Sequence, residues 1–186
     1  MLTVACVLKS GGCYNAEYVQ RLKDSVNKHL KGHNFVCFSD IEVPCERIPL
    51  VYNLAGWWSK LELFTLKSKT LYFDLDTVIT GDLSEIAEYP HEFTMLSDFY
   101  KLKEPASGVM AWDGDYSFIL SDYDQNKHYS GHGDQGYIAT KVLAKRFQNI
   151  FPSQITSRKD TKTRNKNERV VCFHGEPRPH SVNWNV

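Results

Sequence analysis

The sequence predicts an α/β fold with a mainly parallel central sheet flanked by helices. Three observations predict it. Short apolar runs without helical period, at residues 4–8, 35–38 and 70–73, read as buried strands. Between the first two, Tyr18, Leu22, Val26 and Leu30 recur every four positions, the spacing of one helix face. Strand–helix–strand alternation then favours parallel pairing, because a parallel neighbour needs a crossover long enough to hold a helix.

Each element has a local cause. After the first strand, Ser10, Gly11 and Gly12 form a turn, and Asn15 is placed to cap the helix that follows. Gly32 stands where helices end. Ser59 and Glu62 have capping-box spacing and predict a helix carrying Leu61, Leu63, Phe64 and Leu66. Residues 93–96 and 107–112 read as further strands, Asp115 as the cap of a short helix through Leu120, and residues 135–143 as another helix. Residues 157–170 hold six basic and two acidic side chains with little apolar content, and predict a mobile loop. That loop is either simply solvated or a lid over bound phosphates. A last strand is expected at 170–173, before a turn-rich stretch at 174–180.

The chain has 186 residues, 42% of them hydrophobic, which excludes a disordered polypeptide and fits one domain, residues 1–186. Within it, residues 1–76 are expected to form a nucleotide-binding half and 77–186 the half that completes the site. Twenty-two basic residues balance 22 acidic ones, which argues against a partner coated in phosphate such as nucleic acid. No apolar run approaches the ~20 residues of a membrane span, and the first residues lack the pattern of a signal peptide, so a cytoplasmic location is expected. The five cysteines form no Cys-x-x-Cys pair; Cys6, Cys37 and Cys172 sit in apolar runs and read as buried, reduced thiols.

The chemistry concentrates at the end of the third apolar run. Asp74 and Asp76 stand at i and i+2, on the same side of an extended chain. Two ionised carboxylates at the mouth of a buried strand repel one another unless a cation is shared between them. Oxygen donors select a hard ion, Mg²⁺ or Mn²⁺, which keeps water or substrate phosphates in its other positions. The carboxyl end of a parallel strand is also where open α/β sheets bind ligands. The plainer alternative is that one aspartate caps a turn and the other is solvated.

Four other segments bear on the choice. Lys60 lies in the first turn of the helix expected after Trp57 and Trp58. Ala106, Ser107 and Gly108 enter a strand with small side chains, where a ligand can approach the backbone. Asp134 and Gln135 lie between Gly133 and Gly136, and His174 and Arg178 stand four apart in a proline-rich turn. Each has a bland reading: solvated lysine, helix cap, backbone-satisfied histidine. The two tryptophans are core or rim aromatics, or a platform for a sugar ring.

In this order the segments resemble retaining glycosyltransferases of the GT-A (Rossmann-like) fold, family 8, the glycogenin-like group. The resemblance implies transfer of a sugar from a nucleotide-sugar donor, UDP-linked, to an acceptor that is a glycan, a lipid-linked sugar or a protein. It implies Mn²⁺ or Mg²⁺ held by Asp74 and Asp76 against the diphosphate. By the same resemblance Asp134 and Gln135 lie beside the reacting sugar, Lys60 near the sugar and phosphates, and Tyr14 on the nucleotide base. Ser107 and Gly108 line the donor site, and Arg178 takes the place of a lysine that reaches the diphosphate. The family's signature His-Phe-x-Gly-x-x-Lys-Pro-Trp aligns its metal-binding histidine with Cys172, so His174, two residues later, is the expected third ligand. Ala106 replaces a sugar-contacting asparagine. Two other classes compete: a haloacid-dehalogenase-type phosphatase, whose Asp-x-Asp is similar, and a non-catalytic module that only binds nucleotide sugars.

Overall fold

A computed structural model describes residues 1–129, 133–159 and 166–182. Among them the first half holds β1 (Leu2–Leu8), α1 (Ala16–His29), β2 (His33–Ser39), β3 (Glu46–Pro49), a 3-10 helix (Gly56–Thr65), β4 (Thr70–Phe73) and β5 (Thr77–Ile79). The expected strands and first helix are present, together with two unexpected strands, β3 and β5. The second half adds α2 (Ser84–Glu88), β6 (Phe93–Ser97), β7 (Pro105–Trp112), α3 (Phe118–Ser121), α4 (Gly133–Lys141), β8 (Lys145–Arg146) and α5 (Phe147–Ile150). It closes with β9 (Ile155–Ser157), β10 (Val170–Cys172) and a 3-10 turn (Pro179–Val182).

Seven strands form the central sheet in the order β3-β2-β1-β4-β7-β6-β8, and only β7 runs against the rest. The mainly parallel sheet is therefore as expected. A second sheet, β5-β10-β9, is built from strands of three residues each. Side chains alternate across the central sheet, so each strand feeds two cores. Val4, Cys6, Leu71, Phe73 and Val109 meet α1 and the small sheet on one face. Ala5, Tyr72, Met110 and Trp112 meet the 3-10 helix, α3 and α4 on the other.

Helix α1 follows its sequence. Asn15 Oδ1 accepts the Glu17 amide N–H at 3.0 Å, and Tyr18, Leu22 and Val26 are buried, each worth roughly 1.5–3 kcal/mol against exposure. Gly32 adopts its positive φ of 70° two residues beyond the extended C-cap Leu30.

The expected α-helix at Ser59 is instead a 3-10 helix, begun earlier, with Ala55 at its N-cap and no side-chain cap. Residues Ser59 to Phe64 are buried in succession, so no solvent face remains for a 3.6-residue period to display. Glu62 does not close a capping box, because its carboxylate is recruited by the Val51 and Tyr52 amides at 2.7 and 3.2 Å. Asp115 accepts from Ser117 N and Oγ one step ahead of α3, whose N-cap is Ser117. The predicted mobile loop begins with β9, which reaches Ser157; its residues 160–165, and with them the lid reading, lie outside the described residues.

His91 gives the fold a pH-sensitive joint. Its Nε2 lies 2.8 Å from the Ile86 carbonyl, an acceptor only, so Nε2 carries the proton and Nδ1 accepts from Thr94 Oγ1 at 2.8 Å. Burial lowers its pKa, opposed by the Ile86 bond and reinforced by Lys69 and Lys145. The unfolded chain therefore takes up this proton first, and stability falls as pH drops below about 6.5. Thermal melts between pH 7 and 5 are expected to show a shallower acid loss in His91→Gln than in the wild type. Equal slopes would refute this assignment.

Candidate active site

The carboxylate pair stands where the two sheets meet. Strand β4 ends at Phe73, and the chain then turns, with the Thr77 amide donating to the Asp74 carbonyl at 3.1 Å. Backbone bonds sew this turn on both sides: Asp74 N to the Gly108 carbonyl of β7 at 2.8 Å, and Phe173 N, just past β10, to the Asp76 carbonyl at 3.0 Å. Gly108 lies against the carboxylate: a Cβ there would sit 3.4 Å from Asp74 Oδ2, at ordinary contact distance.

Because the strand stops before Asp74, the two carboxylates do not share a strand face as the extended spacing predicted. Each meets a different cation. Asp74 Oδ1 pairs with Lys60 Nζ at 3.0 Å and accepts the Tyr72 hydroxyl. Asp76 Oδ2 pairs with Arg178 Nη1 at 2.9 Å and accepts the Tyr14 hydroxyl at 2.7 Å. Both still line one cavity of about 640 Å³, together with Ser107, Gly108, Asp134, Gln135 and His174.

Lys60 organises the inner wall. It is 7% exposed, and its ammonium also reaches Asp134 Oδ2 at 3.2 Å and Ser107 Oγ at 3.0 Å. Ser107 Oγ in turn donates to Asp134 Oδ2 at 2.7 Å. Burial lowers the lysine's pKa, but Asp134 and Asp74 outweigh it and raise the pKa above the ordinary value. Lys60 is thus a permanently charged bridge between two carboxylates on different elements. Gln135 lines the cavity beside Asp134.

Asp76 is electrostatically the opposite case. Burial pushes its pKa up, Asp74 adds to that, and Tyr14, Arg178 and Lys60 pull back without restoring the usual carboxylate range. Tyr14 stays protonated, held up by its own burial and by Asp76, and its ring lies under the Arg178 guanidinium at 5.4 Å. The reading of Tyr14 as a base-stacking aromatic meets a side chain already tied by its hydroxyl to Asp76 and Arg178 and packed edge-on against Tyr18.

His174 lines the same cavity as the two aspartates, and its own partners are other residues. Its Nε2 lies 2.6 Å from Ser157 Oγ and its ring stacks on Phe99 at 5.5 Å. The charges that act on it, after burial lowers its pKa, are Lys159 and Asp98. Those acting on Cys172, after burial raises its pKa, are Asp76 and Asp74, and Cys172 and His174 both line the cavity of the aspartates. Strand β10 pairs Cys172 with Thr77, the residue after Asp76, which sets this register. Among the described residues no group of three or more His, Cys, Asp or Glu side chains is close enough to hold a metal ion.

The residues nonetheless fit a divalent ion shared with a substrate. Hydrogen bonds engage Oδ1 of Asp74 and Oδ2 of Asp76, and the second oxygen of each is a hard donor facing no cation among the described residues. Burial first, and then Asp74, raise the Asp76 pKa, and added positive charge at this point would oppose both. Two carboxylates completed by phosphates and water are an ordinary set for Mg²⁺ or Mn²⁺.

Two contacts escaped the sequence. Tyr72, i−2 from Asp74, delivers its hydroxyl to that carboxylate, and the period of two would have pointed to it. Ser157, on β9, anchors His174 across 17 residues, and nothing local announces that.

No family model matches the sequence, and a search of curated proteins finds no match. Solved structures match in fold. The apo form of the glycosyltransferase GlyE of Streptococcus pneumoniae TIGR4 aligns with a TM-score of 0.65 at 12% identity, over 98% of this chain and 56% of that one. The galactosyltransferase LgtC, in complex with donor and acceptor sugar analogues, gives 0.59 at 11% identity over 95% and 88%. The bifunctional glycosyltransferase WbbM gives 0.63 at 11% identity over 96% and 46%. The chain spans little more than half of GlyE and less than half of WbbM. Identities this low speak for architecture alone: the chain has the GT-A fold found in these glycosyltransferases.

Proposed function

We propose that this chain is a metal-dependent glycosyltransferase of the family 8, glycogenin-like kind, moving a sugar from a UDP-linked donor to an acceptor with retention of configuration. The observation that carries it is the convergence of Asp74, Asp76, Lys60, Arg178 and Asp134 on one cavity at the carboxyl end of β4. A fold likeness to glycosyltransferases supports it.

On this reading Asp74 and Asp76 hold Mn²⁺ or Mg²⁺, which supplies positive charge to the diphosphate as it leaves. Lys60 and Arg178 supply fixed positive charge to the same group, and being already oriented they need no reorganisation. Ser107 and Lys60 hold Asp134 Oδ2 in place, so its carboxylate and the Gln135 amide stand against the cationic sugar centre. Tyr14 keeps Asp76 ionised by donating to it, which counters the burial that favours its acid form.

The phosphatase alternative fits less well, since Asp74 ends the fourth strand of the chain and not the first. A binding module without activity keeps one observation in its favour, the pairing of both aspartates with protein cations. Calorimetric titration of UDP with and without Mn²⁺ tests the reading, and binding only with the metal is expected. Metal-independent or absent binding would remove its central step. Hydrolysis of a nucleotide sugar without acceptor then separates enzyme from module.

A further inference from the structure

Two adjacent tryptophans end in different surroundings. Trp58 stacks on Tyr123 with ring centroids 4.7 Å apart and packs against Tyr129 and Tyr137, half-buried against the core. Trp57 is 64% exposed. It lines both the 640 Å³ cavity of the carboxylates and an adjoining one of about 480 Å³.

Its place is set from two sides. Residues three apart in a 3-10 helix eclipse one another, so Trp57 and Lys60 share a face of the helix. A Cβ on Gly133 would meet Trp57 Nε1 at 3.0 Å and Cδ1 at 3.5 Å, so the indole rests against the first residue of α4, next to Asp134. One edge of the indole is seated against Gly133, while most of the ring remains in water. An indole this exposed adds little to the core, and its apolar face with one N–H suits a ligand with an apolar face and a hydroxyl rim. A pyranose ring has that character.

We infer that Trp57 is the stacking platform for the acceptor, and that the acceptor presents a sugar ring to it. This rests on the glycosyltransferase reading: there the charged groups of the inner wall serve the donor, which leaves the exposed indole lining the same cavity for the second substrate. It deepens that reading by naming the acceptor class.

The test uses the whole chain with UDP and Mn²⁺ and probes it with methyl hexosides and N-acetylglucosamine at millimolar concentration, read by tryptophan fluorescence and calorimetry. Expected is glycoside binding by the wild type, weakened about 10-fold or more in Trp57→Ala and in part restored in Trp57→Phe, with UDP affinity the same in all three. Loss of UDP affinity in Trp57→Ala would assign the platform to the donor and overturn the inference. So would unchanged glycoside binding in Trp57→Ala, or UDP binding by a wild type that binds no glycoside, either of which leaves the donor reading standing. Failure of the wild type to bind UDP at all defeats both readings.

Discussion

Asp76→Asn is expected to abolish Mn²⁺-dependent binding of UDP while leaving the fold at least as stable at pH 7. The two effects have opposite signs for one reason. Asp76 is buried beside Asp74, and its raised pKa means that the folded chain holds this proton more tightly than the unfolded one. A group so raised contributes its full stability below its ordinary range and loses it as pH rises through the folded value. At neutral pH the charge is therefore a cost that folding bears, kept for what it binds. Asparagine keeps the volume and an oxygen for Tyr14 and Arg178 but removes that cost along with a ligand. UDP affinity in the presence of Mn²⁺ should fall by about 100-fold or more, beyond the 10–100-fold typical of groups that only support a metal ligand. The melting temperature should hold or rise at pH 7, with the gain fading toward pH 4. Unchanged affinity would remove Asp76 from the metal site, and a large drop in melting temperature would contradict the electrostatic argument.

Lys60→Met is expected to have the largest effect on stability. The side chain keeps its length, but Asp74 and Asp134 lose the ammonium 3.0 and 3.2 Å away, and Ser107 Oγ loses a donor. Breaking a buried pair by removing one partner costs about 3–5 kcal/mol, because the remaining charge stays out of water uncompensated. In a domain of this size that lowers the melting temperature by roughly 10 °C. If the stranded carboxylate is the cause, adding Asp134→Asn to Lys60→Met should recover a good part of the loss. A loss that is small, or one that the second substitution simply adds to, would mean that Lys60 is not the bridge its distances describe.

The parts of the fold that were legible are those with a strong local period. The apolar runs of β1, β2 and β4 and the four-residue spacing of α1 announce themselves, because one buried face repeats within a few residues. The 3-10 helix at Gly56–Thr65 looked α-helical because its cap signals were local, whereas its tight winding follows from burial of six consecutive side chains. Strands β5, β9 and β10 have three residues each, too few to display a period. Of these only β10 was expected, because it opens the apolar run at residues 170–173.

The candidate site divides in the same way. Asp74 and Asp76 stood out since an apolar strand running into paired carboxylates is a contrast visible within six residues. Their partners were not visible as partners: Lys60 reaches Ser107 across 47 residues, and Arg178 reaches Asp76 across 102. His174 was expected to share a strand face with Cys172, yet β10 ends at Cys172; His174 lines the aspartates' cavity from the following turn, with Ser157 holding its imidazole.

By itself the sequence determined the α/β class, the parallel core and the strand end where carboxylates gather, since each depends on neighbours in the chain. Only the tertiary structure decided which cation each carboxylate meets, that Trp57 faces water while Trp58 packs against three tyrosines, and that Ser157 holds His174. Those choices depend on which distant segments share a volume, and Coulomb forces and packing act through space without regard to chain order.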